Sequence, residues 1–299
     1  MLLILFSLLI ASIVCIFSAG LVGLFWNISR SYLHKLKPPL AADVLFLMEI
    51  SGIAAAFASV LLFVVPGFMA WEPRDTEEKI PVWVISLAVV IVFAIGRTFY
   101  RLGRDLHHKF STHGYQPLVA VHGILRSRLV CSDKAREVLT DEELDSVLRH
   151  ENAHVVRHDN LRELMARFAA YLRPSFKFFD EIVQMRRRFT EYAADSEAVN
   201  DENAALNLAA ALVHLARHVP TNIDTASFCI SSAIPDASVS VIAARVERLL
   251  HFNPRAHSPR TQVLAASFLV LTLFLLIAIA SQTAVQTVCY RTFERVVSL

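Results

Sequence analysis

Four long apolar stretches constrain this 299-residue chain before any other feature. Residues 2–26 carry no charged side chain, a run long enough to cross the hydrocarbon of a bilayer as a helix. A second stretch, about 44–71, is interrupted by a single carboxylate, Glu49; a third runs over about 82–100 and a fourth over 263–280. Together they explain a hydrophobic content of 55 % and a mean hydropathy of +0.48, too apolar for an ordinary soluble domain. The first stretch lacks the basic start and small-residue cleavage site of a signal peptide and is longer than its apolar region, so it reads as a retained span.

Lys and Arg in the short connections orient the spans. The first connection carries Arg30, Lys35 and Lys37 with no acid, whereas the second carries Glu72, Asp75, Glu77 and Glu78 against Arg74 and Lys79. Arg101, Arg104 and Lys109 follow the third span. The expected topology has the N-terminus and the 72–80 loop outside, residues 101–262 cytoplasmic, and a short tail at 281–299 outside. The expected fold is mainly α: a four-helix transmembrane bundle with a cytoplasmic α+β domain inserted between the third and fourth spans. Glu49 lies within a span, where a carboxylate is costly and is by default a functional candidate; protonation or a hydrogen bond inside the bundle would equally accommodate it.

Cys15, Cys131, Cys229 and Cys289 show no paired spacing, which argues against a disulfide framework or a cysteine metal site. The inserted segment is balanced in charge, and the net charge of the whole chain is only +2, so direct nucleic-acid binding is not expected.

The chemical signal is His150-Glu-Asn-Ala-His154. On a helix this spacing sets two imidazoles one turn apart on one face with a carboxylate beside them, an arrangement that binds zinc and supplies a general base, Glu151, for peptide hydrolysis. A chain of this composition produces such a pentad by chance about 2 % of the time. The context is helical. Thr140 followed by Glu143 reads as a capping box, and Leu144, Val147, Leu148 and Val155 give an apolar face.

Around this helix, expected over about 141–157, residues 101–117 read as a polar, His-rich linker and 118–131 as two short strands joined by a turn. Such an edge strand ahead of a metal helix commonly pairs with extended substrate in zinc peptidases. Further helices are expected over 161–172, 175–199, 202–218 and 239–250, with a polar loop at 219–238 that offers a site for self-cleavage.

A catalytic zinc takes three protein ligands and leaves one position open. Metzincin-type peptidases place a third His six residues after the second, but position 160 is Asn. Gluzincin-type enzymes use a Glu from a later helix. Glu191 and Asp195, four apart on one helix face, fit this pattern: Glu191 as ligand, and Asp195 accepting a hydrogen bond from the free nitrogen of a ligand His. Glu163, Glu181 and Glu197 remain alternatives on spacing alone. Arg157, His158 and Arg188 are candidates, unranked, to stabilise the developing oxyanion.

The run 139–160, Leu-Thr-Asp-Glu-Glu-Leu-Asp-Ser-Val-Leu-Arg-His-Glu-Asn-Ala-His-Val-Val-Arg-His-Asp-Asn, resembles the metal helix of BlaR/MecR-type membrane metallopeptidases. In that family the helix is typically followed by a basic residue and an Asp-Asn pair, matched by Arg157 and Asp159-Asn160. Glu191-x-x-x-Asp195 resembles their third-ligand motif, and Arg245-Val-Glu-Arg-Leu-Leu250 the helix before their last span. The layout of three spans, a protease segment and a fourth span is also similar. The resemblance implies a gluzincin-type zinc endopeptidase of a bacterial inner membrane, with one Zn²⁺ per chain held by His150, His154 and Glu191. It implies a protein substrate, a BlaI/MecI-type winged-helix repressor, cleaved to relay an external signal. The family's beta-lactam receptors carry a penicillin-binding sensor after the last span. Only about twenty residues follow it here, so a member lacking that sensor is expected. HtpX-type proteases share the zinc motif and an acidic third ligand and would imply quality control of membrane proteins instead. A non-catalytic zinc-binding receptor or scaffold is the third alternative, and the intact Glu151 counts against it.

Overall fold

A computed structural model describes residues 2–71, 82–111, 119–124, 126–218 and 238–252, with the isolated positions 287 and 291. The expected fourth span at 263–280 lies outside the described residues, as do Cys229 and Cys289, the 72–80 loop, the 219–238 loop up to its last residue, and all but two positions of the tail.

The chain is mainly helical. Helix α1 spans Leu2–Ser29, and after a 3-10 turn at Leu33–Lys35 a proline opens α2, Pro38–Ser59. Proline suits that first position because its missing N–H would have no partner in the first turn anyway. Beyond α2 a π-helical turn, Val60–Val64, leads into α3, Val65–Trp71, so the second apolar helix starts six residues before the apolar stretch does. Among the described residues, two helices, Ile10–Ser29 and Pro38–Gly67, are long and apolar enough to cross a membrane. The third apolar stretch forms the first part of α4, Val82–Ser111, where Val89, Val90, Val92 and Phe93 are exposed. The linker expected from residue 101 is helix as far as Ser111. Arg101, Arg104 and Lys109 are good helix formers and the helix continues through Gly103, while Gly114 and Pro117 come later.

Strands β1 (Val119–His122) and β2 (Arg128–Cys131) form an antiparallel hairpin with Val119 opposite Cys131 and His122 opposite Arg128. A short helix absent from the sequence reading, α5 (Asp133–Val138), follows; Ser132 Oγ caps it by accepting from the Ala135 N–H. Helix α6, Asp141–Val156, begins with a complete capping box: Thr140 Oγ1 accepts from the Glu143 N–H at 3.3 Å, and Glu143 Oε2 accepts from the Thr140 N–H at 3.1 Å. Then come α7 (Asp159–Leu172), α8 (Lys177–Ala198), α9 (Glu202–His218) and α10 (Ser238–Leu250).

Two apolar cores hold these elements. One joins the hairpin, α6, α9 and α10 through Val119, Val147, Leu208 and Leu249, with the small side chains of Ala205, Ala209 and Ala211 letting α9 approach closely. The other joins α1, α2 and α8 through Trp26, Leu45, Met48, Ile182 and Phe189. The Trp26 indole N–H donates to Glu181 Oε2 at 3.0 Å, and the Phe178 ring lies so close over Gly23 that an added Cβ would sit 3.0 Å from it. Helix α8 thus belongs to both bodies. One face packs on α1 and α2, while Glu191 and Asp195 meet α6 and α10.

Candidate metal centre

The α6 periodicity puts His150 and His154 one turn apart, their rings nearly perpendicular with centroids 4.8 Å apart. Their Nε2 atoms lie 3.2 Å from each other. Glu191 of α8 completes the group, with Oε2 3.6 Å from His150 Nε2 and Oε1 3.9 Å from His154 Nε2. A tetrahedral ion with bonds of roughly 2.0–2.1 Å keeps its donor atoms about 3.3 Å apart, so these spacings suit one ion within reach of all three. His150, His154 and Glu191 form a group that could hold a metal ion. Two imidazoles and a carboxylate suit several transition metals, zinc among them.

Both ring orientations are fixed from behind. Asp195 Oδ1 is 3.0 Å from His150 Nδ1, and Asp159 Oδ2 is 2.7 Å from His154 Nδ1. Each carboxylate takes the Nδ1–H and turns Nε2 towards the shared point, where Arg245 Nη2 also lies 3.3 Å from His150 Nε2. Arg245, from α10, clamps the far side. Its Nη2 and Nε donate to the two oxygens of Asp195 at 2.6 and 2.9 Å, and its Nη1 reaches Glu191 Oε2 at 2.9 Å.

The electrostatics follow from this crowding. Burial alone would raise the Glu191 carboxyl, but the Arg245 charge and the bond to His150 hold it well below the usual carboxylate range. Asp195 is lowered against its burial chiefly by Arg245. Glu151, half-buried beside the two histidines, is pushed up by burial. For His150, burial and Arg245 oppose protonation, yet the hydrogen bonds to Asp195 and Glu191 prevail and push it up to about 9. With His150 neutral, the negative charge of Glu191, Asp195 and Asp159 exceeds the positive charge of Arg245 and Arg157.

A coordinating imidazole must be neutral, so loading a metal at pH 7 must displace the His150 proton. Because protonation is favoured up to about 9, the proton's competition is lost only as the pH rises through that value. Apparent zinc affinity is therefore expected to climb with pH, about tenfold per pH unit below that point. Calorimetric titration at pH 7 in buffers of different ionisation enthalpy should show release of about one proton per ion bound. Heats independent of the buffer would contradict this charge state.

Of the sequence candidates, His150, His154, Glu191 and Asp195 meet in space, with Glu151 beside them. Arg157 turns its guanidinium to Asp43, Asp159 and Glu197. His158 occupies the turn into α7 with φ +54°, and Arg188 is exposed on α8. Glu163 and Glu181 are engaged elsewhere, by Arg186 and Trp26.

Sequence reasoning missed the roles of Asp159 and Arg245. The latter had a signal: spacing places it on the apolar face of α10 with Ile242, Val246 and Leu249, where a surface arginine does not belong. Asp159 had its nearness to His154 and its place in the Asp159-Asn160 pair that the resemblance picks out, but neither gave it a role. Comparison with family models, with characterised proteins and with solved structures gives no match to this chain.

Proposed function

We propose that this chain is a membrane-embedded zinc endopeptidase. The observation that carries the reading is the convergence of His150 Nε2, His154 Nε2 and the Glu191 carboxylate on one point, with Glu151 adjacent in the same helix turn. Zinc held by those three residues would supply a Lewis acid that acidifies water and polarises the scissile carbonyl. Glu151 takes the proton of the attacking water and hands it to the leaving amine. Its upward-shifted pKa suits a group that must act first as base and then as acid. Asp195 and Asp159 keep the rings in register, and Arg245 keeps Glu191 charged.

Asn160, just after the metal helix, donates from Nδ2 to the carbonyls of Val121 and Gly123 at 3.3 and 2.7 Å and so ties β1 to the site. An extended substrate pairing with the hairpin would use backbone groups other than these two occupied carbonyls. In this reading the bilayer holds the apolar helices of a multi-pass protein in a bacterial inner membrane. The metal centre is cytoplasmic, and the substrate is a BlaI/MecI-type winged-helix repressor whose cleavage relays a signal. The packing of α8 along α1 and α2 favours a second class of substrate, membrane proteins processed for quality control, because it sets the metal centre beside apolar helices.

The test uses the purified full-length chain in lipid nanodiscs. One zinc per chain and hydrolysis of casein, of a co-encoded repressor or of a membrane-protein substrate are expected. Zinc without hydrolysis of any of the three would favour the receptor or scaffold, and absence of stoichiometric metal would overturn the assignment.

A further inference from the structure

Helix α2 and its continuation, Pro38–Gly67, contain just two charged residues, Asp43 and Glu49. For Glu49, almost fully buried, a charge in so apolar a helix is costly unless paired, whereas the Asp43 side chain, near the helix start, is 42 % exposed. Both are paired, and both with arginines of the helices that carry the metal centre. Glu49 takes Arg186 of α8. Asp43 takes Arg162 of α7 and Arg157, which ends α6, the latter at 3.2 Å.

The Asp43 contact leads directly to a metal ligand. The Arg157 side chain is 8 % exposed and is held among three carboxylates. Nη2 donates to Asp43 of α2, Nη1 donates to Glu197 of α8 at 3.3 Å, and Nε faces Asp159 Oδ1 at 3.7 Å. The other oxygen of Asp159 is the one that holds His154 Nδ1 at 2.7 Å. The backbone serves the same arrangement. His158 adopts the left-handed region, uncommon for a residue with a side chain, and so Asp159 swings back onto the last turn of α6.

We infer that Asp43 is a positioning residue for the metal centre, acting on ligand His154 through Arg157 and Asp159. The proposal rests on the metal centre argued above and goes beyond it by assigning a residue of an apolar helix to the geometry of the ion. Asp43 anchors Arg157, the Arg157 charge attracts Asp159 across 3.7 Å with no hydrogen bond from Nε, and Asp159 sets the tautomer and ring angle of His154. Movement of α2 is thereby felt at the ligand.

The experiment measures zinc dissociation constants of the full-length chain in detergent by chelator competition, with the visible spectrum of the Co²⁺-loaded chain reporting geometry. D159N should lose roughly 10–100-fold in affinity, the range for removing a carboxylate that orients a ligand His, and D43N, two links further out, about 3–10-fold. D43E should recover most of that loss. In the D159N background D43N should add nothing, because its route to the ion is already cut. Arg162→Gln, which removes the other partner of Asp43, should leave affinity unchanged. A purely architectural role for Asp43 would instead give losses that add to D159N and appear equally in R162Q, and either result overturns the inference. If D43N does not yield folded chain, Arg157→Lys puts the same question from the other end: it keeps the charge and loses the fork, and unchanged affinity there is equally fatal. A wild-type chain that binds no zinc brings down the metal centre and this relay together, whereas one that binds zinc while D43N binds it equally well brings down the relay alone.

Discussion

Glu151→Gln is expected to cut peptide hydrolysis by about 10²–10⁴-fold, the usual worth of a positioned general base, while one zinc per chain stays bound. Glutamine keeps the volume and the hydrogen-bonding reach of the side chain but cannot accept the water proton. The three ligands, the carboxylates behind the rings and Arg245 are untouched, so the site should load as before. The loss should fall on kcat, because an interaction made only in the transition state has been removed, with little change in KM. Metal analysis and steady-state kinetics on the same preparation separate the outcomes. Full activity with metal bound would transfer the proton chemistry to another group. Loss of metal together with activity would mean that Glu151 supports the site rather than acting in it.

The parts of the molecule legible in the sequence are those whose cause lies within a short window. Thr140 and Glu143 satisfy each other's backbone three residues apart, so the start of the metal helix could be read from the chain. The strands at 119–122 and 128–131 and the helix stop before Pro174 were local in the same way. The two candidate spans in the described residues are likewise a matter of composition along a continuous run. The helical continuation through 101–111 was misread because polar character was taken for a linker, although the stretch holds no proline and the helix absorbs its one glycine, Gly103.

What the sequence withheld is the pairing of distant charges. Arg245 meets His150 from 95 residues away, Arg157 meets Asp43 across 114, and Arg186 meets Glu49 across 137. None of these distances is written in a periodicity. Arg186-Arg187-Arg188 shows the difficulty plainly. As a string it is a run of like charge, but the helix turns Arg186 into the interior and leaves Arg188 exposed. Glu49 gave a hint, as a carboxylate that an apolar helix would not carry without a partner, and so did Arg245 on the apolar face of α10.

That buried pair yields the second large effect: Arg186→Met is expected to destabilise the chain by about 3–5 kcal/mol, the range for stripping one partner from a buried ion pair. Arg186 Nε donates to Glu49 Oε1 and its Nη2 to Glu163 Oε2, both at 2.7 Å, and both carboxylates are almost fully buried. Glu163 keeps Arg167 and Arg187, but Glu49 loses its charge partner on α8. The double change Arg186→Met with Glu49→Met should therefore recover most of the loss, since an apolar pair of similar volume often equals a buried ion pair. Acid unfolding isolates the Glu163 share. Burial would raise that carboxyl, but Arg186, Arg187 and Arg167 overcome it and hold it down at about 2. A carboxyl lowered on folding stabilises fully above its unfolded value, near 4.3, and loses that contribution as the pH falls towards 2. Glu163→Gln should flatten this part of the profile, and Arg186→Met should shrink it by raising its lower end from about 2 while its onset stays near 4.3. Unfolding midpoints that coincide for wild type and Arg186→Met would mean that α2 and α8 are held by their apolar faces alone, through Leu45, Met48 and Ile182, with the charges merely tolerated between them.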